Sequence, residues 1–153
     1  MEIRTSSPEA TEGFGRRLGA LLEPGDVVCL SGPLGAGKTC LARGILAGLG
    51  VKGPVQSPTF VIIHEHVGRW PAYHIDAYRL ECGEDVATLG LEEYLSGDGV
   101  AVVEWPENIA DLVPEDAVWI SLARLPGEGP DERKLTVTAT GRPGQRLKEL
   151  TAG

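Results

Sequence analysis

The stretch Gly32-Pro33-Leu34-Gly35-Ala36-Gly37-Lys38-Thr39 constrains this chain more than any other, because it meets every fixed position of the pattern G-x-x-x-x-G-K-[ST]. Upstream, Val27-Val28-Cys29-Leu30 is a short apolar, partly β-branched run that reads as a buried strand. Downstream, Lys38 to Leu49 carries Leu41, Ile45 and Leu49 at helical spacing and stops at Gly50. Strand, glycine loop and helix in that order build an anion site. Glycine lets the backbone curl around a phosphate without Cβ clashes, so successive N–H groups point inward. The helix that follows adds the positive end of its dipole. In such a loop Lys38 reaches the β- and γ-phosphates and the Thr39 hydroxyl ligates Mg²⁺. A glycine-rich turn with a chance lysine would not account for the flanking strand and helix. The candidate nucleotide-cradling residues are therefore Gly32, Pro33, Leu34, Gly35, Ala36, Gly37, Lys38, Thr39 and Cys40.

At 153 residues the chain reads as one domain, 1–153, long enough for a sizeable core. Its 42% hydrophobic and 24% charged content suits a globular protein in water. Its apolar runs are far short of the ~20 residues that span a bilayer. The N-terminal MEIRTSSPEATEG lacks the apolar core of a signal peptide, so a cytoplasmic location is expected. The net charge of −8 argues against direct nucleic-acid binding, which needs clustered Lys and Arg. Arg133, Lys134, Arg142, Arg146 and Lys148 make a mildly basic tail that reads mostly as solvated surface. An acidic exterior suits a protein partner better. Cys29, Cys40 and Cys82 follow no metal or redox spacing, and the first two read as small core residues.

Along the chain, Ser7-Pro8 is a helix start, and Ala10, Phe14, Leu18 and Leu22 carry an amphipathic helix from Pro8 to Leu22. Gly13, Gly15 and Gly19 weaken its propensity by up to ~1 kcal/mol each, so packing must hold it. A strand is expected to begin near Thr59 and run towards His66, paired with a second from Ala72 to at least Asp76. Glu84 to Tyr94 reads as two short helices broken at Gly90. Val100-Ala101-Val102-Val103 is a second fully apolar strand that stops at Glu104-Trp105-Pro106-Glu107. Val118–Ala123 and Leu135–Thr140 read as an antiparallel hairpin, and the tail from about residue 143 as a frayed helix. The expected architecture is an α/β mixed sheet with parallel central strands, antiparallel additions and helices on both faces. A nucleotide would lie outside the carboxyl ends of the parallel strands.

A phosphate loop needs a carboxylate near its metal, commonly at the end of a neighbouring apolar strand, and Glu104 fits that position. In His74-Ile75-Asp76-Ala77-Tyr78-Arg79, strand periodicity puts His74, Asp76 and Tyr78 on one face. Two readings stand there: a carboxylate that orients water or touches Mg²⁺, or a hydrogen-bonded sheet surface. Ser57-Pro58-Thr59 is either a loop whose hydroxyl approaches the γ-phosphate or the ordinary start of a strand. His64 and His66 lack partners at metal-ligand spacing, and Trp70 and Trp119 read as packing residues.

Taken together, Gly35-Ala36-Gly37-Lys38-Thr39, Ser57-Pro58-Thr59-Phe60, His74-x-Asp76-x-Tyr78-Arg79 and Val103-Glu104-Trp105-Pro106-Glu107 closely resemble the bacterial TsaE (YjeE) family. These are the ATPases of tRNA threonylcarbamoyladenosine (t6A) biosynthesis. The resemblance covers the chain to about Leu125 and rests on four linked motifs. It implies a P-loop fold, ATP and Mg²⁺ as ligands, and partnership with the TsaB–TsaD pair, through which alone tRNA would be met. By the same resemblance Thr39 and Glu104 are the Mg²⁺ residues, and Asp76, Lys38 and Thr59 the catalytic set. Asp76 would serve hydrolysis, Thr59 would act as a switch threonine, and Trp105 would be the tryptophan beside the site. Pro33 stands where many members carry an acidic residue, and its missing N–H removes one donor from the nest.

A small-molecule or nucleoside kinase is the alternative, but no Arg-rich lid insertion is evident and the chain is short for a separate acceptor site. A GTP switch lacks an N-K-x-D segment to read guanine. Near the motifs, Arg43 and Arg79 are the only arginines suited to act as fingers, and each has a surface reading, so weak turnover without a partner is expected. Thr5–Thr11 and the basic residues near Arg142 are the candidates for adenine contact.

Overall fold

The computed structural model describes residues 1–33, 35–52, 63–78 and 90–152, without the side chains of 151 and 152. The expectations for Leu34, Ser57-Pro58-Thr59, Arg79, Cys82 and the helix before Gly90 lie outside the described residues.

The first helix, α1 (Pro8–Ala20), starts as its sequence dictates: Ser7 is the N-cap, and its hydroxyl accepts from Ala10 N at 3.0 Å. The loop strand β2 (Val27–Ser31) is followed by α2 (Lys38–Gly48). The two helices pack against each other through glycines. A Cβ added at Gly15 would lie 2.7 Å from the Leu41 carbonyl oxygen, and one at Gly19 would fall on the Ile45 carbonyl. Gly44 and Gly48 face Glu12 and Arg16 backbone in the same way. The glycines that weaken α1 as an isolated helix are thus what allow its backbone to approach α2, and Gly13, with open space around it, takes no part.

β3 (Ile63–Val67) and β4 (Pro71–Asp76) form the expected antiparallel pair. A short helix α3 (Leu91–Leu95) leads to β5 (Val100–Glu104) and then to a 3-10 segment, Pro106–Leu112. The hairpin is present as β6 (Val118–Arg124) and β7 (Arg133–Thr138). An unforeseen strand, β1 (Glu2–Thr5), pairs antiparallel with β7, Ile3 opposite Leu135. Four residues with one apolar side chain carry too little periodicity to be read as a strand without that partner.

Among the described residues, seven strands make one sheet in the order β1-β7-β6-β2-β5-β4-β3. The neighbours β6, β2, β5 and β4 run parallel, so β6 belongs to the parallel centre while β7 folds back as the antiparallel addition. Strand alternation divides the core. Val28, Leu30, Val102 and Ile120 pack on the α1/α2 face with Leu18, Leu41 and Ile45. Cys29, Ile75, Ala101 and Val103 pack on the opposite face with Leu91, Leu95 and Ile109. Burial pushes the Cys29 thiol up to about 12, which makes it inert.

The tail is docked rather than frayed. In α4 (Gly141–Leu147) Leu147 is buried, and Arg146 donates to Leu21 O at 2.6 Å and to Asp26 Oδ2 and Oδ1 at 2.7 and 3.0 Å. A last short helix, α5 (Glu149–Ala152), follows. Asp26 precedes the amino end of β2, whereas the glycine loop follows its carboxyl end, so Arg146 serves the end of the sheet opposite the loop. Among the described residues no helix is long and apolar enough to cross a membrane.

Candidate functional site

The parallel register brings three strand ends together. Glu104, the last residue of β5, lies opposite Leu30 of β2 on one side and opposite Asp76 of β4 on the other. The glycine loop leaves β2 at the same edge. Gly32, Gly35 and Gly37 have φ of 145°, 79° and 105°, and the Ala36 N–H closes the turn onto Pro33 O at 3.1 Å. At Gly32 an added Cβ would also lie 2.5 Å from the Leu122 carbonyl oxygen, so this position admits no side chain. Gly37 caps α2 without a side-chain hydrogen bond, and the first turn of that helix holds no acidic residue. Its amide donors are therefore not neutralised by the protein's own side chains.

Lys38 is buried at the mouth of this loop, and its Nζ donates to Gly32 O at 2.6 Å. The same ammonium sits 3.4 Å from the centroid of the Trp105 ring. Burial pushes Lys38 below the usual lysine range, while Glu104, Glu107 and Asp76 pull it back. Trp105 is held there by an unusual backbone, φ 59° and ψ 49°, the one left-handed non-glycine among the described residues. Such a conformation costs of order 1–3 kcal/mol and persists where the surroundings enforce it. Here the Trp105 ring is flanked by Lys38 and by Tyr78, whose ring centroid is 5.0 Å away.

Thr39 Oγ1 donates to Glu104 Oε1 at 3.4 Å, and the other carboxylate oxygen, Oε2, meets His74 Nε2 at 2.6 Å. His74 is fully buried and Glu104 nearly so, while His74 Nδ1 has no hydrogen-bond partner. Asp76 Oδ1 accepts from the Tyr78 backbone N–H at 3.0 Å, and burial raises its carboxyl above the usual carboxylate range. Lys38, Thr39, Asp76, Tyr78, Glu104 and Trp105 line one cavity of about 340 Å³.

The donor set fits the ligands that such a loop implies. A buried ammonium and an uncapped helix start suit a polyphosphate. One hydroxyl beside one carboxylate suits Mg²⁺, which binds through one or two carboxylates, substrate phosphates and retained waters. Among the described residues no three His, Cys, Asp or Glu side chains are grouped to cage a metal.

Of the site residues expected from the sequence, Lys38, Thr39, Asp76 and Glu104 come together, with Gly35, Gly37 and Cys40 in the same wall. Leu34 and Thr59 are outside the described residues. His74 shares a sheet face with Asp76 as its spacing requires, but its bond to Glu104 depends on a strand pairing that no local pattern announces. Two arginines were also missed as loop neighbours. Arg124, at the end of β6, donates to Gly35 O at 3.3 and 3.0 Å. Arg133, which the sequence assigns to solvated surface, donates through Nε to Ala36 O at 3.0 Å. Of the candidate adenine contacts, Pro8 and Thr11 line a small cleft together with Gly37 and Cys40 at the start of α2.

Comparison with known proteins agrees with this geometry. The family model for "Threonylcarbamoyl adenosine biosynthesis protein TsaE" matches residues 5–135. The tRNA threonylcarbamoyladenosine biosynthesis protein TsaE of Bacillus subtilis is 43% identical over 150 residues, covering 97% of this chain and 92% of that protein. Its namesake in Treponema pallidum is 42% identical over 137 residues, covering 90% and 99%. That of Streptomyces coelicolor is 49% identical over 133 residues, covering 84% and 89%. A crystal structure of Bacillus subtilis YdiB superposes with a TM-score of 0.84 at 39% identity, over 99% of this chain and 94% of that one. A phosphate loop on a parallel strand, the paired Thr39 and Glu104, and a family match across most of the length lead to one conclusion: the chain belongs to the TsaE family.

Proposed function

We propose that this chain is an Mg²⁺-dependent ATP-binding and ATP-hydrolysing accessory protein of t6A modification, and that its nucleotide state regulates a TsaB–TsaD partner. The observation that carries the reading is the gathering of Lys38, Thr39, Glu104 and Asp76 around one cavity at the carboxyl edge of the sheet.

In this reading the loop amides and Lys38 hold the phosphates. The Trp105 ring and the Gly32 carbonyl hold the lysine ammonium at the loop. Thr39 and Glu104 hold the cation, which when bound neutralises phosphate charge. His74 fixes Oε2 of Glu104 and so leaves Oε1 directed at Thr39. Asp76 orients the attacking water, and its raised carboxyl makes it a better proton acceptor than an exposed aspartate. Thr59 would order its segment against the γ-phosphate and so link nucleotide state to partner binding.

The test is ATP turnover by the chain alone, with candidate phosphoacceptors, and with the TsaB–TsaD pair. Slow turnover alone, stimulation by the pair, and capture of the pair better with ATP than with ADP are expected. Phosphate transfer to a small acceptor would instead make it a kinase. Turnover and capture that ignore both partner and nucleotide would remove the switch role.

A further inference from the structure

Asp76 is the last residue of β4, and the chain leaves the sheet directly after it. A side chain from the segment after β5 holds that exit. Asn108 Nδ2 donates to Ala77 O at 2.8 Å and to Tyr78 O at 3.3 Å, so its amide hydrogens engage two successive carbonyls. On the other side of Ala77, its N–H donates to Glu104 O at 3.0 Å.

Asn108 reaches this place because of the backbone before it. Trp105, in its left-handed conformation, turns the chain away from β5, and the Asn108 N–H closes the next turn onto Trp105 O at 3.2 Å. Pro106 and Ile109 are buried on either side of Asn108 and anchor the segment. The stretch from Glu104 to Asn108 thus carries the acid paired with Thr39, the ring beside Lys38 and the amide that holds the exit of β4.

The consequence falls on Asp76. The Ala77 carbonyl and the Tyr78 N–H belong to one planar trans peptide and point in opposite directions. A donor fixed on that carbonyl therefore fixes the direction of that N–H. The same N–H holds Asp76 Oδ1 at 3.0 Å. A relay runs from the Asn108 amide through the Ala77–Tyr78 peptide to the Asp76 carboxylate, and each hydrogen bond polarises the next. With Oδ1 held, the carboxylate keeps one orientation towards the cavity that it lines.

We propose that Asn108 is a positioning residue for hydrolysis, which orients the Asp76 carboxylate through the Ala77–Tyr78 peptide without touching the nucleotide. The proposal rests on the role given to Asp76 above, and the experiment separates the two. Asn108→Leu, Asp76→Asn and the double variant would be compared with the parent chain. ATP turnover would be measured with the TsaB–TsaD pair, ATP affinity by calorimetry in excess Mg²⁺, and Tm by scanning calorimetry. Leucine is close to asparagine in size and donates nothing. Asn108→Leu should lower turnover roughly tenfold or more and keep ATP affinity within about twofold, because displacing a catalytic group by ~1 Å can cost on the order of 10²-fold. In the Asp76→Asn background the same change should cost no further turnover, since the group through which it acts is gone. Asn108→Ala, which adds no bulk, provides the same comparison if the leucine variant has no cooperative melting transition. Parent-like turnover in Asn108→Leu, a loss in ATP affinity rather than in turnover, or an equal loss with and without Asp76 would each overturn the proposal, because Asn108 would then only close a turn. If Asp76→Asn itself hydrolysed ATP at the parent rate, the role of Asp76 would fall and the proposal with it.

Discussion

Replacing His74 by leucine should separate the positioning of Glu104 from everything else at the site. His74 is fully buried and Nε2 lies 2.6 Å from a carboxylate that is itself only 4% exposed. A hydrogen bond to a charged group contributes about 1.5–3 kcal/mol, and leaving the carboxylate buried without it costs in that range or more. Leucine keeps an apolar volume in the core, so cavity effects stay small. A loss of about 2 kcal/mol corresponds to a Tm lower by roughly 4–8 °C for a domain of this size. The loss of position should be read separately. Free of His74, Glu104 no longer presents Oε1 to Thr39, and the Mg²⁺ concentration that half-saturates the promotion of ATP binding should rise several-fold. Gln at position 74 can place an amide donor near the place of Nε2, and should restore the Mg²⁺ dependence more fully than the Tm. Differential scanning calorimetry and ATP titrations at stepped Mg²⁺ measure both. A leucine variant with a lowered Tm but an unchanged Mg²⁺ requirement would refute the positioning argument, because His74 would then be a core residue only.

Other outcomes follow from the same geometry. Lys38→Ala should weaken ATP by ~10–100-fold, the equivalent of 1.5–3 kcal/mol of charge-assisted contact, and wild-type affinity by calorimetry would contradict its role at the phosphates. Asp76→Asn should bind ATP nearly normally and hydrolyse it slowly, whereas Glu104→Gln should chiefly alter the Mg²⁺ dependence. Burial raises the Asp76 pKa above its ordinary 3.8, so folding favours the protonated acid. That contribution is complete below the ordinary value and is lost as pH rises through the raised one. Asp76→Asn should therefore be more stable than the parent at pH 7, with the difference closing below about pH 4, as Tm against pH would test. Gly13→Ala should stabilise by about 0.5–1 kcal/mol, because space is open there, while Gly19→Ala should destabilise by forcing α1 from the Ile45 carbonyl. Chemical denaturation of the two variants would contradict the close-packing account if they moved in the same direction.

The local features of this chain were legible because each is written in adjacent residues. The glycine loop, the apolar runs on either side of it, the Ser7 cap and the acid at the end of Val100–Val103 need nothing distant to be recognised. The helices and most strands followed from periodicity, and so did the shared face of His74 and Asp76. What remained for tertiary structure was pairing. Strand β1 is a strand because β7 offers it a ladder, and β6 is parallel and central because β2 lies beside it. The glycines of α1 look like faults until α2 lies against them, and Arg133 looks like surface until β7 carries it to Ala36 O. Glu104 could be read as a candidate metal residue from its position after an apolar strand, but not tied to His74. That bond crosses from β5 to β4 on a register set by the packing of the whole sheet. Side chains that act through neighbours distant in the chain leave no local pattern, because the hydrogen bond that selects them forms only after the strands have paired.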